Sequence, residues 1–212
     1  MRHILLAALL FTIPALAQTP APADAQAAPP PAPATVEVLA NPPMTGPRLL
    51  IQTAMGDITL QLDDQRAPKS VASILGFVKA KHYDGTVVYR VAKGFVIQLG
   101  SFEAHNKGRG FFPKPVPLEA GNGLHNFRGT VALAHGDAPD SGNAEFFINL
   151  GDNTQIDQKP SDPNGGFAVF GQVASGMDVV DAIGQVPTGD DGPMKGQAPV
   201  DPILVKKITL LK

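Results

Sequence analysis

The sequence predicts a mainly β domain, a sandwich or closed barrel whose open ends are covered by two helices, and three observations carry that prediction. Short apolar runs recur between Gly and Pro punctuation, several of them alternate apolar with polar residues, and only two stretches switch to a helical period. With 212 residues, 43% of them hydrophobic, the chain can build one substantial core.

In chain order, regular structure begins near Arg48. Ile51-Gln52-Thr53 and Ile58-Thr59-Leu60-Gln61-Leu62 alternate around Met55-Gly56-Asp57, the pattern of two strands joined by a tight hairpin. Pro68 suits the first position of a helix, and Val71, Ile74, Leu75 and Val78 follow at i, i+3, i+4 and i+7, so a helix is expected to about Lys81. Six more strands are expected over residues 86–91, 95–100, 129–134, 145–150, 167–173 and 203–211. A second helix follows Gly176 over 177–183, with Gly184 placed to end it. Two helices among about eight strands imply a closed barrel with capped ends.

Two different segments precede the domain. Arg2 and His3 lead into the apolar run Ile4 to Leu16, and Ala15-Leu16-Ala17 offers small residues where a signal peptidase cuts, so residues 1–17 read as an export signal. Pro14 interrupts the run, which is shorter than the about 20 residues that cross hydrocarbon, so no membrane span is expected in the mature chain. Between residues 18 and 47 more than half of the residues are Pro or Ala, and large apolar side chains are scarce. Such a segment cannot offset the entropy of ordering it and reads as a disordered tether, which leaves 48–212 as the folded domain.

Composition excludes several functions. The 17 Lys and Arg nearly balance 19 Asp and Glu, with no long run of one sign, which argues against nucleic acid as a partner. The absence of Cys removes disulfides, thiolate metal sites and thiol nucleophiles. His82, His105, His125 and His135 form no HxH or HExxH pair, so no metal is expected. Asp140-Ser141-Gly142 lacks the Gly-x-Ser-x-Gly elbow of a hydrolase, and Gly108-Arg109-Gly110 reads as a turn rather than a phosphate loop.

The run from Val88 to Gly100 carries the candidate chemistry. If residues 95–99 form a strand, Phe95, Ile97 and Leu99 share one face and Val96 and Gln98 the other, with the Lys93-Gly94 turn bringing Arg90 alongside. By spacing alone Arg90 reads first as a solvated strand arginine. The same run, however, resembles the signature of the cyclophilin-type peptidyl-prolyl isomerases, in outline Phe-His-Arg, then Gly-Phe-Met, then Gln-Gly-Gly. Gly129 to Ala134 resembles the family strand whose backbone holds substrate, and Glu145-Phe146-Phe147-Ile148 resembles its Gln-Phe-Phe-Ile. Phe167 to Val173 followed by Gly176-Met177 resembles its Val-Phe-Gly-Lys-Val and Gly-Met.

That resemblance implies an eight-stranded antiparallel barrel with a groove on one side, no cofactor, no metal, and proline-containing polypeptide segments as partners. It places the chain in the exported bacterial branch, with the periplasm as compartment, and a monomer is the expected state. By position it implies Arg90, Phe95 and Gln98 as catalytic residues and Val96, Leu133, Phe147 and Ile156 as the proline pocket. Ala134 and His135 would offer backbone groups to the peptide, and Glu145, Gln155 and Phe167 would border it. The chain departs from the family pattern at Tyr89 for His, Lys93 for Pro, Val96 for Met, Leu99 for Gly, Glu145 for Gln, Gln155 for Trp or Phe, and Phe167 for His or Tyr. These departures keep a second function open, a proline-peptide-binding module or holdase that turns over slowly. Glu145 shares a strand face with Phe147 and is expected to compete for the Arg90 guanidinium.

Overall fold

The computed structural model describes residues 40–110 and 115–212. The export signal and residues 18–39 of the tether lie outside the described residues. Eight strands close into an antiparallel barrel: β1 (Arg48–Thr53), β2 (Asp57–Leu62), β3 (Val87–Ala92), β4 (Val96–Leu99), β5 (Thr130–Leu133), β6 (Phe146–Asn149), β7 (Val169–Ser175) and β8 (Ile203–Leu211). Around the barrel the order is β1-β8-β3-β4-β6-β5-β7-β2, and β2 returns to β1. Each strand falls where the apolar runs place one.

Alternation along the strands sorts the side chains into two layers. Leu49, Ile51, Ile58, Leu60, Ile97, Leu99, Val131, Phe146 and Ile148 belong to one buried cluster that fills the barrel. On β4, β5 and β6 every residue is buried, so these strands are covered on both faces. Their other face contributes Val96, Ala132 and Phe147 to a second cluster with Leu124 and Val169.

Helix α1 (Pro68–Lys79) starts with Pro at its first turn and has no side-chain cap of its own. Glu119, from a distant loop, takes the free amides of Lys69 and Ser70 at 3.1 and 2.8 Å, a carboxylate at the positive end of the helix dipole. The helix stops two residues short of the expected Lys81 because Lys81 turns left-handed, at φ 56°. His82 N–H then bonds to Phe77 O and Lys81 N–H to Val78 O, both at 3.0 Å, while the His82 and Phe77 rings meet at 4.9 Å. This is a Schellman stop with lysine where glycine is usual.

Helix α2 (Met177–Gly184) buries Val180 and Ile183. Its special glycine is Gly176, at φ 85°, where a Cβ would collide with the Asp57 carbonyl oxygen. Gly184, expected to end the helix, is its last residue and instead leaves room for Leu150, whose side chain a Cβ would approach to 2.9 Å.

Residues before 48 also touch the barrel. Asn41 exchanges two 2.8 Å hydrogen bonds with the His125 backbone, Gly46 N–H reaches Leu62 O at 3.1 Å, and Gln61 Nε2 donates to Gly46 O. Met44 between them is buried and joins the cluster of Val96, Leu124 and Phe147. A lone methionine among prolines leaves no periodic signal, so composition assigned it to the tether.

Met44→Ala should therefore lower the unfolding free energy by about 2–5 kcal/mol, and the volume-conserving Met44→Leu by less than about 1.5. A chain beginning at Pro47 should lose at least as much as the alanine variant. Urea unfolding of the three against the parent checks this, and a truncated chain of parental stability would return residues 41–46 to the tether.

Candidate active site

Arg90 reaches the outer side of the barrel through an irregularity in β3. Val88 pairs with Leu99, yet Arg90 pairs with Gln98, so Tyr89 is the extra residue of a bulge. Val88 and Leu99 both belong to the barrel core. Strict alternation would aim Arg90 inward with Val88, and the extra residue turns it to the face of Gln98 and Val96. The Lys93-Gly94 turn, with Gly94 at φ 71°, brings the hairpin back into β4. Phe95 lies in that turn rather than in the strand, which frees it from the face of Ile97 and Leu99 and lets it pack on the outer cluster.

The polar groups form a chain of fixed polarity. Arg90 Nη1 donates to Gln98 Oε1 at 2.9 Å, and Arg90 Nε donates to Gln197 Oε1 at 2.7 Å. Gln98 Nε2 donates to Glu145 Oε2 at 3.0 Å, and the Tyr89 hydroxyl donates to the same oxygen at 3.0 Å. A guanidinium only donates and a carboxylate only accepts, so the Gln98 amide between them has one satisfactory orientation, oxygen toward Arg90 and nitrogen toward Glu145. Partial burial lowers the Arg90 pKa, and a guanidinium keeps its charge through such a change.

Beside this chain a hollow of about 140 Å³ opens, walled by Arg90, Phe95, Val96, Gln98, Ala134, His135, Phe147, Ile156, Phe167 and Met194. It is smaller than the about 300–1,000 Å³ of drug-sized sites and suits one compact side chain. Phe167 stacks on His135 at 4.5 Å and meets Phe147 edge-on at 5.4 Å, so two aromatic contacts stiffen one wall. A larger hollow, about 620 Å³, lies between α1 and β8, but Lys79, Lys81 and Lys207 at its edge have no counterpart of the Arg90 network.

Three expected positions fall elsewhere. Leu133 turns into the barrel core, because the outer face of β5 belongs to its neighbours Ala132 and Ala134. Gln155 is exposed and borders an adjoining depression with Asp157, Lys159 and Gly166, sharing only Ile156 and Phe167 with the first hollow. Glu145 is not part of the wall, and no hydrogen bond or ion pair among the described residues joins it to Arg90; Gln98 bonds to both. The expected competition for the guanidinium is therefore not built.

Sequence reasoning missed Gln197 and Met194, which arrive on a loop far along the chain and carry no periodic signal. It also missed a buried amide chain beneath the hollow. Asn149 Nδ2 donates to Asn126 Oδ1 at 3.1 Å, and Asn153 Nδ2 donates to Asn149 Oδ1 at 2.8 Å and to Phe95 O at 2.9 Å. Asn126 in turn donates from its backbone and side chain to Asp157 Oδ1, both at 2.8 Å. These bonds tie the Phe95 turn to the 3-10 turn Thr154–Ile156 and so set the spacing of two apolar walls.

Both tyrosines of the chain are held un-ionised. Burial pushes the Tyr83 phenol well above its ordinary value; burial and then the Glu145 carboxylate push Tyr89 up as well. The folded state therefore keeps these protons when the unfolded chain, with phenols near about 10, has begun to release them. Stability is complete below that pH and falls above it, by up to about 1.4 kcal/mol per pH unit for each phenol. Phenolate absorbance should stay absent above pH 10 until the fold itself is lost, and then rise for both residues together. Tyr89→Phe should show half the amplitude; a native-state titration of either phenol near 10 would contradict the burial argument.

A family model for the cyclophilin type peptidyl-prolyl cis-trans isomerases matches residues 48–209. Peptidyl-prolyl cis-trans isomerase A of Dickeya dadantii is 41% identical over 168 residues, 79% of this chain and 86% of that protein. Peptidyl-prolyl cis-trans isomerase B of Escherichia coli is 39% identical over 159 residues, 74% of this chain and 96% of that one. Among solved structures, a Cryptosporidium parvum cyclophilin type isomerase crystallised in the presence of the dipeptide Ala-Pro shares the fold, with TM-score 0.66, 23% identity, and coverage of 78% of this chain and 99% of that one. With the family model matched across nearly all of the barrel and relatives about 40% identical over most of the chain, the chain belongs to the cyclophilin-type peptidyl-prolyl cis-trans isomerase family.

Proposed function

We propose that Arg90 is the catalytic group and that the hollow beside it receives the proline ring of X-Pro segments. The observation that carries this reading is the state of the guanidinium. Its Nε and Nη1 are held by Gln197 and Gln98, while Nη2 has no protein partner among the described residues, and Arg90 lines an otherwise largely apolar hollow. Rotation of a peptide bond is opposed by resonance, with a barrier of about 18–20 kcal/mol. In the twisted amide the proline nitrogen regains its lone pair, and a positioned N–H donor stabilises that form over both planar ones. Phe95, Val96, Phe147 and Ile156 exclude water from the ring, which strengthens the bond. Ala134 and His135 supply the backbone edge along which the peptide lies, with Phe167 behind them.

Residues 1–17 support a further part of the reading, that the clients are exported polypeptides met in the periplasm. Mass spectrometry of the protein recovered from the periplasmic fraction should then show a chain beginning at Gln18; retention of residues 1–17 in the cell interior would refute it.

Arg90→Ala should lower kcat/KM toward a short Ala-Pro peptide at least about 100-fold, with little change in melting temperature. Arg90→Lys should recover little of it, since an ammonium presents its donors from one nitrogen and lacks the planar fork that bonds Gln197 through Nε and Gln98 through Nη1 and leaves a further nitrogen free. NMR exchange measurements on the peptide decide the matter. Parental turnover in the alanine variant would remove the mechanism, and binding without turnover in the parent would favour the holdase reading.

A further inference from the structure

Glu145 departs from the family pattern, and it does not do what its charge first implies. Its backbone oxygen accepts from Ala134 N–H at 2.9 Å and its side chain accepts from Gln98, so it is bonded to two residues that line the hollow. Both side-chain bonds, from Gln98 and from Tyr89, converge on Oε2. Oε1 has no protein partner among the described residues, and none of their buried side-chain polar atoms is left unsatisfied, so Oε1 faces solvent. No ion pair among the described residues involves Glu145, and Arg90 bonds instead to the two glutamines. The carboxylate is thus locked in place by Tyr89 and Gln98 while half of its accepting capacity and its charge stay open at the rim.

We infer that Glu145 sets substrate preference: the groove favours prolines that have a Lys or Arg within two residues and disfavours those flanked by Asp or Glu. The inference rests on the groove being the substrate site proposed above. A flexible basic side chain next to the bound proline can reach the rim without disturbing the ring, and the fixed carboxylate needs no rearrangement to receive it. An acidic neighbour meets repulsion at the same place. The interaction is at the surface, so its size is that of an exposed pair, about two- to fivefold in kcat/KM for each charge change, and salt weakens it.

The test uses the full mature chain and three peptides built around Ala-Pro, with Lys, Ala or Glu at the flanking positions, followed by NMR exchange, which needs no auxiliary protease. The expected order of kcat/KM is Lys over Ala over Glu at low ionic strength, flattening in high salt and in Glu145→Gln, while Tyr89→Phe, which keeps the carboxylate, retains it. Each ratio is read within one variant, so a change in overall rate cancels. The same spectra give peptide affinity, so the order is also read from binding. Equal values across the three peptides in the parent, or an order that survives Glu145→Gln, would overturn the inference. Loss of turnover with the charge order intact in binding would instead count against the proposed catalysis alone.

Discussion

The groove depends on one constraint, that successive residues of a strand must face opposite ways. Three neighbouring strands of the barrel obey it strictly, so each gives one set of side chains to the interior and one to the outer hollow. A barrel strand of this kind cannot deliver a charged residue to the outer face without keeping its apolar neighbours in register. The bulge at Tyr89 solves that conflict in β3, since it leaves Val88 and Val91 inside and sends Arg90 outward. The extra residue is then used rather than wasted, because the Tyr89 phenol anchors Glu145 and packs on Phe102 at 4.5 Å.

Polarity does for the hydrogen bonds what alternation does for the strands. Donor-only Arg90 and acceptor-only Glu145 fix the amide between them, and Gln197 holds the guanidinium from its other edge. The guanidinium is gripped on two sides and left open on a third. Below it the Asn126, Asn149 and Asn153 chain is buried and fully bonded, so the apolar walls rest on a polar base that tolerates little movement.

Much of this was legible from residue order because the strands carry a period of two and are separated by Gly and Pro. The helices were legible for the same kind of reason, although Lys81 in a left-handed turn ended α1 early where no glycine announced it. What could not be read was anything depending on a slip of one residue or on contacts between distant loops. A bulge changes facing without changing composition, and the family resemblance implied Leu133 for the pocket although Ala132 and Ala134 are the residues on the outer face there. Gln197 and the three asparagines are ordinary polar residues until the chain brings them together. Met44 was hidden by its proline-rich surroundings.

Closure of the barrel has a kinetic side. β1 pairs with β2 directly after it and with β8 from the far end of the domain, Thr53 opposite Val205. A chain made from its N-terminus therefore completes the β1–β2 hairpin early and holds one edge of it open until β8 emerges. So large a sequence separation costs loop entropy before it returns contacts, which places such barrels among the slow folders. During that wait the apolar row Leu49 and Ile51 lies along an unpaired ladder, guarded at its start by Arg48. The nascent protein is thus most exposed to mispairing at the seam that, once zipped, becomes an ordinary stretch of sheet.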